Sequence, residues 1–128
     1  ARLNRLPSNI SKKKSSMPRD IQLYIEDLLE SINAIQDFTA GMDFETFKAD
    51  RKTYSATLRE YIVIGEAVGH LIYLLEQQFP NYPWRMIKDF RNLIVHQYFG
   101  VDAKIVWDLC QKELPQLKSH IQNLQQPQ

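Results

Sequence analysis

Pro83-Trp84-Arg85-Met86-Ile87-Lys88-Asp89-Phe90-Arg91-Asn92-Leu93-Ile94-Val95-His96-Gln97-Tyr98 reads as one amphipathic helix with polar chemistry along its flanks. Proline suits the first turn, where its missing N–H costs nothing, and Gly100 breaks the chain beyond the far end. On a wheel of about 100° per residue with Arg85 at zero, Met86, Ile87, Phe90, Leu93 and Ile94 fall on an arc of roughly 80° to 200° and are expected to face a core. Arg85, Asp89, Asn92 and His96 lie within about 40° of zero, and Arg91 and Tyr98 meet near 220° to 240°, on the flank of the core.

Helical periodicity extends both ways from this segment. Ile21, Tyr24, Ile25, Leu28, Leu29, Ile32, Ile35 and Phe38 recur at three- and four-residue steps and predict a first helix to about Thr39, with Gly41 at its C-terminal cap. Asp43 is placed to cap a short second helix holding Phe44 and Phe47 and ending near Asp50. A long third helix is expected from about Arg51 to Gln78, burying Tyr54, Leu58, Tyr61, Ile62, Gly65, Val68, Ile72, Leu75 and Phe79. Pro80 and Pro83 end it and start the next. Asp102 is a candidate N-cap for a last helix from Ala103 to about Gln125, with a kink or two shorter helices expected around Pro115. The fold class that follows is all-α, an up-and-down bundle of four to five helices.

A chain of 128 residues, 44% hydrophobic and 24% charged, has the makeup of one globular domain of a size that gains from a partner subunit. The net charge of +1 hides an asymmetry: residues 1–19 hold six of the sixteen Lys and Arg and none of the fifteen Asp and Glu. Residues 1–16, rich in Ser, Asn and Lys without periodicity, are expected to be a disordered basic extension of non-native or upstream origin, leaving residues 17–128 as the domain. No apolar run approaches the roughly 20 residues of a membrane span, so no membrane association is expected. With Cys110 the single cysteine, a reducing cytoplasm is the expected location.

The chemistry concentrates in Arg91 to Tyr98. Arginine stays charged and can hold two phosphate oxygens at once, while histidine can carry a proton near neutral pH. That pair is the minimum set for cutting RNA without a metal. In an unbroken helix, however, Arg91 and His96 stand about 140° apart. Either the helix loosens before Gly100 and swings His96 round, or the same helix of a second subunit completes the site. Each residue also has a plainer reading: His96 as a helix-end group, Arg91 as a salt bridge to Asp89 or Glu66, Asn92 as a bond to a neighbouring helix, Tyr98 as a half-buried aromatic. Arg85 and Lys88 add basic groups for RNA phosphates. Glu66 and His70, at i and i+4, lack an evident third ligand for a metal, and no cofactor is expected.

Arg91, His96 and Tyr98 together resemble the R-x4-H-x-Y signature of HepT-like HEPN-domain proteins, the small helical toxins of MNT–HepT toxin–antitoxin systems. The likeness extends to Met17-Pro18-Arg19-Asp20 through Asp27, Phe38-Thr39-Ala40-Gly41-Met42, Ile64-Gly65-Glu66-Ala67, and the run from Pro83 to Asp102, and spans residues 17 to about 124. The resemblance implies a HEPN-like helical homodimer and a metal-independent endoribonuclease with Arg91 and His96 at the dimer cleft, supported by Asn92. It also implies a type VII-like system in which an MNT-type nucleotidyltransferase antitoxin transfers AMP to Tyr98 and so silences the toxin. Gln97 departs from the pattern, standing where relatives often carry an acidic residue. The competing reading is a non-catalytic helical dimer that binds nucleotide or serves as the substrate-binding partner of a nucleotidyltransferase; the net acidity of residues 20–128 favours it, since RNA affinity draws on basic surface.

Overall fold

The computed structural model describes residues 18–124, which form α1 (Arg19–Thr39), α2 (Phe44–Ala49), α3 (Arg51–His70), α4 (Ile72–Gln78), α5 (Trp84–Gln97), α6 (Ala103–Asp108) and α7 (Leu114–Gln122). The basic extension expected over residues 1–16 lies outside the described residues. The fold is all-α, as expected: no strand occurs among the described residues, and no helix there is long and apolar enough to cross a membrane.

Three aspartates set the helix starts. The Thr46 N–H donates to Asp43 Oδ1 at 2.8 Å, the Thr53 N–H to Asp50 Oδ1 at 3.1 Å and the Lys104 N–H to Asp102 Oδ1 at 2.9 Å. Each supplies an acceptor to a first-turn N–H that has no partner within its helix. Gly41, at φ +76, turns the chain after α1, a backbone conformation that glycine adopts without steric cost.

α3 is the spine of the bundle, packed along α1 on one side and α5 on the other. Leu28, Ile32 and Ile35 of α1 meet Leu58, Ile64 and Val68 of α3 in a core that Ile94 of α5 and Val106, Leu114 and Leu117 of the last helices complete. Burying each such side chain contributes about 1.5–3 kcal/mol. Trp84, fully buried, donates its indole N–H to the Phe79 carbonyl at 3.0 Å and fixes the α4–α5 turn. The Tyr54 hydroxyl donates to the Val101 carbonyl, tying the start of α3 to the segment after α5.

The structure corrects two expectations and bears out a third. The long third helix is two: at Leu71 the backbone N–H is shared between the carbonyls of Ala67 and Val68, both at 3.1 Å, and the path bends before α4. The last helix divides into two shorter ones around Pro115 as expected, α6 and α7 being joined by a π turn, Leu109–Glu113, just upstream of the proline. Proline offers no N–H to the carbonyl four residues back, and the wider turn absorbs the lost bond within a nearly continuous rod. Met86 and Leu93, expected in the core, are 41% and 37% exposed, and Phe38 is 37% exposed. On α5 the buried arc is centred on Trp84, Ile87 and Ile94, rotated by roughly 60° from the hydrophobic arc read off the wheel.

Candidate active site

That rotation brings Arg91 against α3. A β-carbon at Gly65 would lie 2.1 Å from Arg91 Cβ and 2.7 Å from Cγ, so the two helices reach this separation only because position 65 has no side chain. One residue on, Glu66 Oε2 receives Arg91 Nη2 at 2.8 Å, and Arg91 Nη1 donates to Asn92 Oδ1 at 2.9 Å. Nε of Arg91 is buried with no acceptor among the described residues. The guanidinium is therefore oriented by a carboxylate and an amide and keeps donor capacity for a further acceptor.

Glu66 also faces His70, its other oxygen lying 3.8 Å from His70 Nε2, and the His70 ring stacks on Tyr24 of α1 at 4.4 Å, within 7° of parallel. Gly65, Glu66, Gly69 and His70 from α3, with Lys88, Arg91 and Asn92 from α5, line a cleft of about 290 Å³. The expected site residues thus divide. Arg91, Asn92 and Lys88 come together in this cleft. Arg85 does not join them: its Nε and Nη2 grip the two oxygens of Glu76 at 3.0 and 3.2 Å.

His96 lies outside the cleft lining, exposed in the last turn of α5. That helix stays regular to Gln97, so of the two routes to a joint Arg91–His96 site, loosening of the helix end at His96 is not taken. The break comes two residues after His96, at Tyr98, whose φ of +35 and ψ of −98 are strained for an aromatic residue. The Tyr98 hydroxyl donates to the Ser55 carbonyl at 3.5 Å, and its ring meets Phe99 edge to face, with the Arg51 guanidinium over Phe99 at 4.5 Å. Ser55 precedes Glu66 by eleven residues of α3, about 16 Å of helix rise. Arg91 and Tyr98, expected side by side, are therefore engaged at different levels of α3.

In the sequence Glu66 stands out only as one of two salt-bridge partners for Arg91 or as half of a metal pair, and His70 only in that pair. The signal for their place was Gly65, a glycine in the buried stripe of a long helix, which marks a close approach by another element. Among the described residues no group of three or more His, Cys, Asp or Glu is arranged to hold a metal ion.

Comparison with known proteins agrees with the resemblance. A family model described as Ribonuclease HepT-like matches residues 28–124. The chain is 35% identical to "Probable ribonuclease HepT" of Thermococcus cleftensis over 84% of its own length and 98% of that protein. It is 31% identical to "Putative RNase MJ1380" of Methanocaldococcus jannaschii, over 81% of this chain and 95% of the relative. A second protein of that organism, "Putative RNase MJ0127", is 37% identical over 77% and 83% of the two chains. No solved structure matches. With the family model spanning most of the domain and such relatives covered nearly end to end, the chain belongs to the HepT-like ribonuclease family.

Proposed function

We propose that the protein is a metal-independent endoribonuclease, the toxin of an MNT–HepT pair, acting as a homodimer with Arg91 of one protomer and His96 of the other at a shared cleft. The observation that carries this reading is the placement of Arg91: a guanidinium held by Glu66 and Asn92, beside Lys88, at an open cleft. The 2′-hydroxyl attacks the adjacent phosphorus, forming the 2′-O–P bond as the P–O5′ bond breaks. A base takes the 2′ proton and an acid delivers one to the departing 5′ oxygen, leaving a 2′,3′-cyclic phosphate and a 5′-hydroxyl. Histidine serves either role near neutral pH; the one His96 that each site draws from the partner protomer takes one of them and water takes the other. Arg91 stabilises the charge that builds on the phosphorane. Asn92 supports the site by fixing the guanidinium.

In the same reading the cognate nucleotidyltransferase silences the toxin by moving AMP from a nucleoside triphosphate to the Tyr98 hydroxyl, with pyrophosphate leaving. An AMP ester there places a negative charge and an adenosine two residues past His96, at the end of α5 where substrate meets the histidine. Blockade then acts on the His96 end of the cleft more directly than on Arg91 of the same protomer.

The separation of Arg91 from His96 within one protomer favours a second reading, a non-catalytic dimer that binds nucleotide or presents itself to the nucleotidyltransferase. Incubation of end-labelled single-stranded RNA with the protein in a metal chelator decides between them. Cleavage by the wild type and its loss in folded His96→Ala support the ribonuclease; binding of RNA without cleavage supports the module.

A further inference from the structure

The cleft that holds Arg91 contains a histidine of its own, outside the R-x4-H pair. His70 is held by the parallel stack on Tyr24 at 4.4 Å and borders the Glu66 carboxylate, 3.8 Å from its Nε2, while 49% of its side chain stays open to solvent. Glu66 bonds Arg91 through one oxygen and turns the other toward His70, so a single carboxylate stands between the two groups. Gly65 and Gly69 keep the floor between them clear; a β-carbon at Gly69 would stand 3.8 Å from the Lys88 side chain. With Glu66 balanced by Arg91, Lys88 leaves the cleft one positive charge in surplus before any protonation of His70. A stacked imidazole, an ammonium with no ion pair among the described residues and a guanidinium with a donor to spare, around about 290 Å³, suit a phosphodiester with its ribose.

We infer that His70 is a substrate-contacting residue, and that the α3–α5 cleft of each protomer is an RNA-backbone subsite in which Lys88 and Arg91 hold a phosphate and His70 hydrogen-bonds the same nucleotide. This rests on the ribonuclease reading for the identity of the ligand. The role of His70 is binding, distinct from the proton transfer given to His96.

The test uses a fluorescein-labelled twelve-nucleotide single-stranded RNA and fluorescence anisotropy, with His96→Ala as the non-cleaving parent. In that parent, His70→Phe preserves a ring to stack on Tyr24 and removes the nitrogens, His70→Ala removes both, Lys88→Ala removes the ammonium, and Lys48→Ala is the remote control. The inference expects His70→Phe, His70→Ala and Lys88→Ala each to weaken binding about tenfold, with Lys48→Ala within twofold of the parent. It also expects His70→Phe, in the otherwise wild-type chain, to raise KM with kcat little changed. Parental affinity in His70→Phe overturns it, including the case where only His70→Ala is weak, because the ring then serves packing alone. Parental affinity in Lys88→Ala overturns it too, because RNA then bypasses the cleft. If the wild type cleaves normally and His70→Phe binds as the parent does, the inference fails and the ribonuclease stands. If the wild type does not cleave while these variants lose binding, the ribonuclease reading fails and the subsite stands.

Discussion

Gly65 of α3 and Arg91 of α5 meet so closely that a methyl group at position 65 would stand 2.1 Å from Arg91 Cβ. One missing side chain thus sets both the helix spacing and the height at which the guanidinium meets Glu66. Gly65→Ala is expected to cost about 1–3 kcal/mol of stability through overpacking, despite the better helix propensity of alanine. RNA cleavage should fall further than the loss of folded protein explains. Urea denaturation and single-turnover cleavage on the same sample measure the two effects; an unchanged midpoint would show that the helices separate freely.

Thr57 is buried in the first half of α3, and its hydroxyl oxygen has no hydrogen-bond partner among the described residues. Replacing it by the similarly shaped valine removes a desolvated polar group. Thr57→Val is expected to stabilise the fold by about 1 kcal/mol, read as a higher urea midpoint at constant slope. A destabilised Thr57→Val would mean that the hydroxyl is satisfied after all.

Most of the fold was legible in the sequence, because three- and four-residue periodicity reports directly on helices that bury one face. The Asp43 and Asp102 caps and Gly41 were readable from residue type alone. The orientation of α5 was not. Trp84 anchors its first turn and Gly65 draws Arg91 inward, and both effects depend on partners that no local pattern encodes. For the same reason Arg91, Asn92 and Lys88 could be picked out as chemistry while the neighbours that complete their cleft, Glu66 and His70, entered only as candidates for other roles. Tyr98 falls beside Arg91 only if helical geometry continues through a residue whose φ is +35.

Stability should respond to pH at both ends of the range. Burial pushes the Cys110 thiol from 9.0 up to about 12, against a lowering contribution from the Tyr61 hydroxyl that donates to its sulfur at 3.9 Å. Burial also raises Tyr61 well above its ordinary value. Above pH 9 the unfolded chain releases the thiol proton while the folded chain keeps it, so stability is full below 9 and declines as pH rises toward 12. Chemical denaturation between pH 8 and 11 should show this decline, and Cys110→Ala should lessen it. At neutral pH the native thiol should react with iodoacetamide far more slowly than in the unfolded chain.

On the acid side, the backbone N–H groups of Thr46 and Thr53 hold the carboxyls of Asp43 and Asp50 below their ordinary value. Their contribution is present above the unfolded carboxylate value and is lost as pH falls through the folded one. Asp50→Ala should lower Tm at pH 7 and flatten the acid limb of the stability curve. An acid limb identical to wild type would remove the capping role from Asp50.

The central claim is a site shared between two protomers, and subunit exchange tests it most directly. Arg91→Ala and His96→Ala chains, each inactive alone, are mixed, allowed to exchange, and assayed for RNA cleavage in chelator. If Arg91 of one protomer works with His96 of the other, each mixed dimer regains one intact site, and activity returns to about a quarter of wild type for equal random mixing. No recovery, with mixed dimers verified by native mass spectrometry, would contradict the account.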